Sequence, residues 1–567
     1  MLHPSPAFTI EQRAYQSFQT AQQENNNKQN EGEDKMIRAL AISGDHLYCL
    51  VTPRTSFSGT VKVEWNESKA TRMDGFLSTE KGSASQHLQL PFNQDFYRAL
   101  QKVATQGPVP IKVFCNHPNS MHNVRGAMFQ GLAEHDTLLG RLFSESNCLF
   151  YSNFELPPKI KEGNNDQQQA YKKLREHRVA LVQGLPGSGK TKLMLEILKV
   201  CNHLRSTWIA ETNATCEMLA CKAIEAGLCP AVLLAQGRST KNPKIHPFTV
   251  SSLAQDYQCH QDKIITENSL VILTNTLATT NMSIKQRDTQ LLLIDEAGMI
   301  PAYRFAGLRL LTTSYLIICG DHMQNPPYKE PRGEFAHLFN TQPHLRIRLS
   351  TQYRMPPQIS RLSNALAYNN EMKDGNTNPP PLPLNLPANL SQRLLFIDTT
   401  AKASPHDKEG HSSINTRQIE VSLALLRILS MSYPLEDIQV LSLYEAHASA
   451  LATAMLPRFN RAPTPLSITQ SQGGEYPVVL LNFVKTGNCL GFPANLQVIN
   501  VAVSRARKQL LLIADSKALL ALPMWKQIRN IWLDTDSRAD DRVGGLGKKR
   551  IMAGTVIEKA QKWPYMI

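Results

Sequence analysis

The sequence predicts an α/β fold: two blocks of parallel sheet and helix, preceded by a β-rich domain. Three observations carry this. First, Gly184-Leu-Pro-Gly-Ser-Gly-Lys-Thr191 fits the phosphate-binding pattern G-x-x-x-x-G-K-[ST]. It lies between an apolar run at 179–183, read as a buried strand, and a helix at 192–200 with Leu193, Ile197 and Val200 on one face. Second, short apolar runs at 208–210, 271–273, 291–294 and 315–319 each end in a polar cluster, with helical stretches between them. That alternation is the signature of a parallel sheet whose ligands meet the C-terminal ends of the strands. Third, a further series from about 345 repeats the pattern without its own P-loop. Its strands are read at 394–397, 438–443, 478–483 and 510–513, and its helices at about 414–430 and 446–456.

Taken in order, residues 8–30 read as a helix that dissolves into the polar tract Gln22-Gln-Glu-Asn-Asn-Asn-Lys-Gln-Asn30. The period then changes to β-type runs at 36–42, 46–51, 60–65 and 111–114, with Ser/Gly turns between and a helix at 96–105. Residues 1–155 therefore read as a β-rich accessory domain. Asn164-Asn-Asp-Gln-Gln-Gln-Ala170 is a capped helix start that opens the first block, 156–343. The second block spans 344–533, with the stiff loop Asn378-Pro-Pro-Pro-Leu-Pro383 near its start. The tail, 534–567, carries Asp534, Asp536, Asp540 and Asp541 ahead of Lys548-Lys-Arg550 and is expected to be flexible.

With 567 residues, 42% hydrophobic and 19% charged, the chain is long enough for several cores and is not of disordered composition. A net charge of +14 points either to a polyanionic partner, nucleic acid first, or to a basic surface. The ten cysteines form no C-x-x-C pair, which predicts reduced thiols, an intracellular (cytoplasmic) setting and no structural zinc. No signal peptide and no membrane-spanning run is read.

The chemistry concentrates at strand ends. Glycines 184, 187 and 189 let backbone N–H groups curl around phosphate oxygens, so Gly184, Pro186, Gly187, Ser188 and Gly189 are the expected nucleotide cradle. Lys190 would reach the β- and γ-phosphates, and Thr191 would hold Mg²⁺. Asp295 closes an apolar strand where a carboxylate must meet Mg²⁺, and Glu296 is the candidate base that polarises water. The pair favours hydrolysis over transfer to another acceptor. Gln324, after a strand, is a candidate sensor of the γ-phosphate, although alone it reads as a polar turn. Arg354 and Arg505 sit among small and apolar residues; each reads as an arginine finger or as half of an interdomain salt bridge. Gln472-Gly-Gly-Glu475 precedes a strand: Gly473 allows close backbone approach, and Glu475 can accept from a ribose hydroxyl or pair with an Arg.

Together, these motifs over about 160–515 resemble superfamily 1 helicases, specifically the branch containing the nonsense-mediated-decay RNA helicase and the immunoglobulin-mu-binding helicase. The resemblance implies two RecA-like P-loop NTPase domains with a β-barrel on helical stalks ahead of them. It implies that Gln167, with Ala170, reads adenine, that Tyr353 of Gln352-Tyr-Arg-Met355 stacks on it, and that Arg354 and Arg505 are fingers. It also implies backbone contacts to nucleic acid from Thr212 and Asn213 and from Thr274 to Thr276. Some positions depart from the branch: Met299 after Asp-Glu-Ala-x, Asn325 in place of Leu, Thr469 and Ser471 before Gln472, and Gln497-Val498 where arginines are common.

The expected activity is an ATP- and Mg²⁺-dependent helicase or translocase, moving 5′→3′ on single-stranded RNA or DNA as a monomer. Two alternatives remain at this level: an ATPase that clamps or remodels ribonucleoprotein without processive unwinding, and a nucleotide-regulated binding switch.

Overall fold

A computed structural model describes residues 155–520 apart from short breaks at 236–239, 241, 328–332, 400–406, 410–411, 460, 472 and 487–494. Outside that span it describes stretches within 13–20, 33–115 and 127–143, together with Trp525 and Ile551–Met552. The helix expected at 96–105 and the side of the glycine turn at Gln472 lie outside the described residues.

Six N-terminal strands close into an antiparallel barrel in the order Glu33–Ser43, His46–Thr52, Gln86–Pro91, Met73–Thr79, Gly59–Glu64, Val109–Cys115, with the last pairing back to the first. Two of these, Met73–Thr79 and Gln86–Pro91, were not read from sequence. The described residues between 13 and 20 are helical, and Ala14 and Phe18 pack with Met128, Tyr303 and Ala306 of the first block.

The first block is a seven-stranded, all-parallel sheet ordered Arg346–Leu349, Val179–Gly184, Tyr315–Gly320, Leu291–Ile294, Ser206–Ala210, Leu270–Thr274, Pro230–Val232. Its strands are apolar runs because both faces are covered. Alternate residues go to opposite sides: Leu181, Ile209, Leu292 and Ile318 join one core cluster, while Val182, Trp208, Leu293 and Ile317 join the other. The two edge strands escape a periodicity search. Pro230–Val232 has only three residues, and Arg346–Leu349 carries two arginines on a partly exposed edge. The latter corrects the boundary set at 343/344: it pairs with the P-loop strand, so the first sheet extends to Leu349.

The second block is also all parallel, ordered Leu466–Ser467, Ile438–Ser442, Tyr476–Asn482, Ala506–Ala514, Leu394–Asp398, Ile551–Met552. Its outermost strand comes from the tail expected to be flexible. Helices Thr416–Leu429 and Glu445–Met455 lie at their expected places. Between the blocks, Leu185 of the P-loop is 1% exposed and belongs to the core cluster of the second block, with Met355, Leu362 and Val503. The phosphate loop is thus wedged between the two sheets. Among the described residues no helix is long and apolar enough to cross a membrane.

Candidate active site

The capped helix and the P-loop are built as one unit. Asn164 caps Asn165–His177 through a capping box: its side chain accepts from the Gln167 N–H, and Gln167 Oε1 accepts from the Asn164 N–H. Gln167 is buried, and its Nε2 donates to the carbonyls of Gly189 (3.3 Å) and Ser188 (3.5 Å). Its amide therefore steadies the phosphate loop, a contact that the adenine-reading role did not anticipate.

Two turns of left-handed backbone, at Gly187 (φ +73°) and Gly189 (φ +83°), curl the loop into the helix Lys190–Val200. A Cβ on Gly187 would stand 2.5 Å from Arg354 Cβ, so this position needs glycine for space as well as for φ. Lys190 Nζ donates to its own loop, at the Gly184 carbonyl (2.9 Å), occupying the cradle its ammonium would share with phosphate. Ser188 Oγ is buried without a hydrogen-bond partner. An orphaned hydroxyl inside a ring of backbone donors is what a phosphate oxygen would satisfy.

Asp295, at the end of strand Leu291–Ile294, is 3% exposed. Burial raises its carboxyl to about 7 and the Glu296 charge adds to this, while Lys190 and the Glu296 N–H pull it down. Glu296 has φ +48° and ψ +37°, a left-handed conformation that is costly for a residue with a Cβ. That strain turns the chain immediately after the carboxylate pair and is a signature of a functional loop that the sequence did not reveal. Thr191 and Asp295 supply hard oxygen donors suited to Mg²⁺, and the carboxylate buried beside Lys190 is one that a divalent cation would hold ionised.

The second block meets this site through its own motifs. Tyr353 N–H donates to the Gly187 carbonyl (2.9 Å), and Asn164 Nδ2 donates to Tyr353 Oη (2.9 Å). Tyr353 is 47% exposed, one of the large apolar side chains on the surface among the described residues. Gln352 organises the turn: its Oε1 accepts from the Arg354 and Met355 N–H groups, and its Nε2 donates to Asp374 (2.7 Å) and the Met355 carbonyl. Arg354 Nε donates to Glu475 Oε2 (2.8 Å), and its Nη1 donates to the Ser504 carbonyl (3.1 Å). Of the two partners the sequence offered Glu475, the structure shows the arginine: it pairs with Arg354, with Arg507 also at 3.7 Å. The ion pair is internal to the second block, not the interdomain bridge that sequence left open for Arg354. Burial alone would raise the Glu475 carboxyl, but the two arginines outweigh it and hold it below the usual range.

Arg505 does cross. It is fully buried and donates to the carbonyls of Val501 (2.9 Å) and Gly474 (3.0 Å) and to Gln324 Oε1 of the first block (3.2 Å). Burial, followed by repulsion from Arg354, lowers its pKa to about 10. Gln324 is thus engaged: its Nε2 donates to Asp321 Oδ2 (2.9 Å). Asp321 in turn accepts from Tyr368 Oη (2.6 Å), which accepts from Asn500 Nδ2 (2.7 Å), both in the second block. Asp321, Tyr368 and Asn500 form a second buried bridge between blocks. Sequence reasoning missed it because each residue alone is an ordinary polar side chain.

The nucleic-acid candidates sit apart from this seam, on neighbouring strand ends. Thr212 caps helix Asn213–Glu225 by accepting from the Thr215 N–H, and Thr274 caps Asn275–Thr280 by accepting from the Leu277 N–H. Strands Ser206–Ala210 and Leu270–Thr274 pair with Ala210 opposite Thr274, so the two loops are adjacent. Asn213 Oδ1 is buried without a partner, and Thr276 Oγ1 donates to Asn275 Oδ1 (3.3 Å). Gly473 faces the first of these helices, with Met218 Cε 3.9 Å and Thr215 Oγ1 4.0 Å from where its Cβ would be.

Comparison with known proteins agrees with this layout. Two family models, each described as an AAA domain, match residues 162–377 and 332–517, which together take in both sheets. The regulator of nonsense transcripts 1 homolog of Drosophila melanogaster is 22% identical over 477 residues, covering 75% of this chain and 40% of the relative. Over both sheets the chain is similar to ATP-dependent helicases and to this regulator of nonsense transcripts. The DNA replication ATP-dependent helicase/nuclease of Saccharomyces cerevisiae is 26% identical over 65% of this chain and 27% of its own length. An uncharacterized ATP-dependent helicase of Methanocaldococcus jannaschii is 26% identical over 49% of this chain and 43% of its own. The chain spans less than half the length of each of these relatives. An arterivirus nonstructural protein 10 (helicase) structure aligns over 87% of this chain and 79% of that one at 14% identity, with a TM-score of 0.41.

Proposed function

We propose that the protein is an ATP-driven translocase that moves 5′→3′ on single-stranded nucleic acid and separates duplexes, with ATP hydrolysed between two RecA-like domains. The observation that carries this is the seam itself. The Tyr353 N–H seated on Gly187 and the Arg505 guanidinium on Gln324 bring two arginines of one sheet to the phosphate loop and the Asp295–Glu296 loop of the other.

The chain's own groups divide the work. The glycine loop and the N-terminus of helix Lys190–Val200 donate N–H groups to the phosphates, and Lys190 leaves the Gly184 carbonyl to meet them. Thr191 and Asp295 would hold Mg²⁺, which neutralises charge on the phosphate oxygens when bound. Glu296 takes a proton from the attacking water while Gln324 orients it. Arg354 and Arg505 stabilise charge on the transferring group. Tyr353, facing outward above the P-loop, offers its ring to the base of the nucleotide. Release of product loosens the arginines, the two blocks part, and the strand shifts across the Thr212–Asn213 and Thr274–Thr276 loops.

Polarity rests on the family branch and on the β-rich domain ahead of the first block. The experiment is ATPase with matched single-stranded RNA and DNA, followed by unwinding of duplexes bearing a 5′ or a 3′ overhang. Strand-stimulated turnover with unwinding from the 5′ overhang is expected. Unwinding only from a 3′ overhang overturns the polarity. Stimulation without unwinding converts the reading to a clamp or remodeller, and binding without turnover to a switch.

A further inference from the structure

We propose that Arg304 is a positioning residue that clamps the two candidate strand-binding loops together and ties them to the loop that hydrolyses ATP. The proposal rests on the assignment of those loops to nucleic acid.

The geometry begins with two adjacent strand ends. Ala210 and Thr274 stand opposite each other in the sheet, and the next residue on each strand is polar and turned inward: Glu211 and Asn275. Asn275 is fully buried, and the Glu211 side chain is 18% exposed. Asn275 Nδ2 donates to Glu211 Oε2, so the two loops already touch. Arg304 completes the arrangement. Its Nη1 donates to Asn275 Oδ1 (2.9 Å) and lies 3.5 Å from Glu211 Oε1. One planar guanidinium thus holds both loops, a job that suits its fixed donor fork.

Glu211 immediately precedes Thr212 and Asn213, and Asn275 lies between Thr274 and Thr276. The clamp is therefore within two residues of every side chain proposed to touch the strand. Arg304 itself belongs to helix Ala302–Leu308, which follows the strained turn at Glu296. A movement of the Asp295–Glu296 loop on hydrolysis would carry this short helix, and the guanidinium would carry the two loops with it. The rear of the same helix is braced as well. Arg304 Nε donates to Tyr303 Oη (3.1 Å), and the Tyr303 ring meets Phe18 of the N-terminal helix edge-on at 6.0 Å. The accessory region thus presses on the element that sets the loop spacing.

Arg304 touches neither the phosphate cradle nor the arginine seam, so it should govern response to nucleic acid rather than hydrolysis itself. Arg304→Ala alone strands a buried carboxylate and risks misfolding. Glu211→Gln/Arg304→Ala removes both charges and is the variant to measure, in the full chain. Three quantities decide: kcat without nucleic acid, the concentration of a single-stranded homopolymer giving half-maximal stimulation, and the Kd for that strand. The expected result is a basal kcat within about twofold of wild type, with half-maximal stimulation and Kd both raised about tenfold or more, the size of one lost geometric contact. A well-folded double variant with unchanged strand affinity overturns the clamp, as does a basal kcat that falls in parallel with stimulation. Asn213→Ala distinguishes the two levels of failure. If it weakens strand binding while the double variant does not, the clamp alone is wrong. If it too leaves strand binding unchanged, the assignment of these loops to nucleic acid has failed, and the clamp with it.

Discussion

Replacing Arg354 by Ala separates a catalytic finger from a structural ion pair, and the structure sets the size of each effect. The Arg354 side chain is 14% exposed and its partner Glu475 is 42% exposed. A pair at such a rim contributes about 1 kcal/mol, and the hydrogen bond to the Ser504 carbonyl adds about 1–2 kcal/mol. Loss of stability should thus total about 2–3 kcal/mol, leaving a folded protein. A finger contributes about 10³-fold to kcat, or about 4 kcal/mol of barrier. Glu475→Gln is the control: it breaks the same pair but keeps the guanidinium on the Ser504 carbonyl, so it should lower stability by about 1 kcal/mol and kcat by less than about tenfold. Thermal melts and steady-state ATPase on the same preparations give both numbers. If folded Arg354→Ala turns over within about tenfold of wild type, the finger assignment is refuted and the ion pair is all that Arg354 provides.

Three further outcomes follow from the same site. Lys190→Ala should abolish hydrolysis and weaken nucleotide binding, whereas Glu296→Gln should abolish hydrolysis with binding intact; calorimetric titration with a non-hydrolysable nucleotide beside ATPase rates checks both, and near-normal turnover of Glu296→Gln would remove it as the base. Strand affinity should fall linearly in log K against log[salt] and vary little with base sequence, as expected for backbone contacts by a chain of net charge +14; a flat response in a fluorescence titration rejects a basic groove. Burial raises the Glu211 carboxyl from 4.5 to about 7 despite Arg304 and Asn275. The folded state therefore holds that proton more tightly, so its contribution to stability is greatest below about pH 4.5 and declines as pH rises to about 7, by at most about 3 kcal/mol. Glu211→Gln should flatten that decline, read from melts at pH 5 and pH 8.

The parts of the fold legible in sequence are those with an unmistakable local signal. Fully buried parallel strands appear as uninterrupted apolar runs, so Leu291–Ile294 and Tyr315–Gly320 were found within a residue of their ends. Edge strands were not: Arg346–Leu349 alternates charge with apolar residues, and Ile551–Met552 is too short to register. In the site, Lys190 and Thr191 are fixed by spacing along one strand–loop–helix unit, and Asp295 and Glu296 by their place at the end of one apolar strand. The contacts of Arg354 with Glu475 and of Arg505 with Gln324 are not, because each joins residues far apart in the chain. The sequence offered Glu475 a ribose or an arginine, and only the folded chain brings Arg354 to it, at 2.8 Å.

By itself the sequence determined the parallel-sheet class, the phosphate loop and the carboxylate pair, because each depends on interactions within a few residues: backbone conformation at glycine, apolar periodicity and a strand ending in acid. Tertiary structure alone decided which groups face one another across the cleft. The bridge of Asp321, Tyr368 and Asn500, the reach of Arg505 to Gln324 and the clamp of Arg304 on Glu211 and Asn275 all join segments far apart in the chain. Each is made of polar groups whose burial is tolerable only once their partners arrive, and that condition is set by the packing of two sheets and their helices, not by any local pattern.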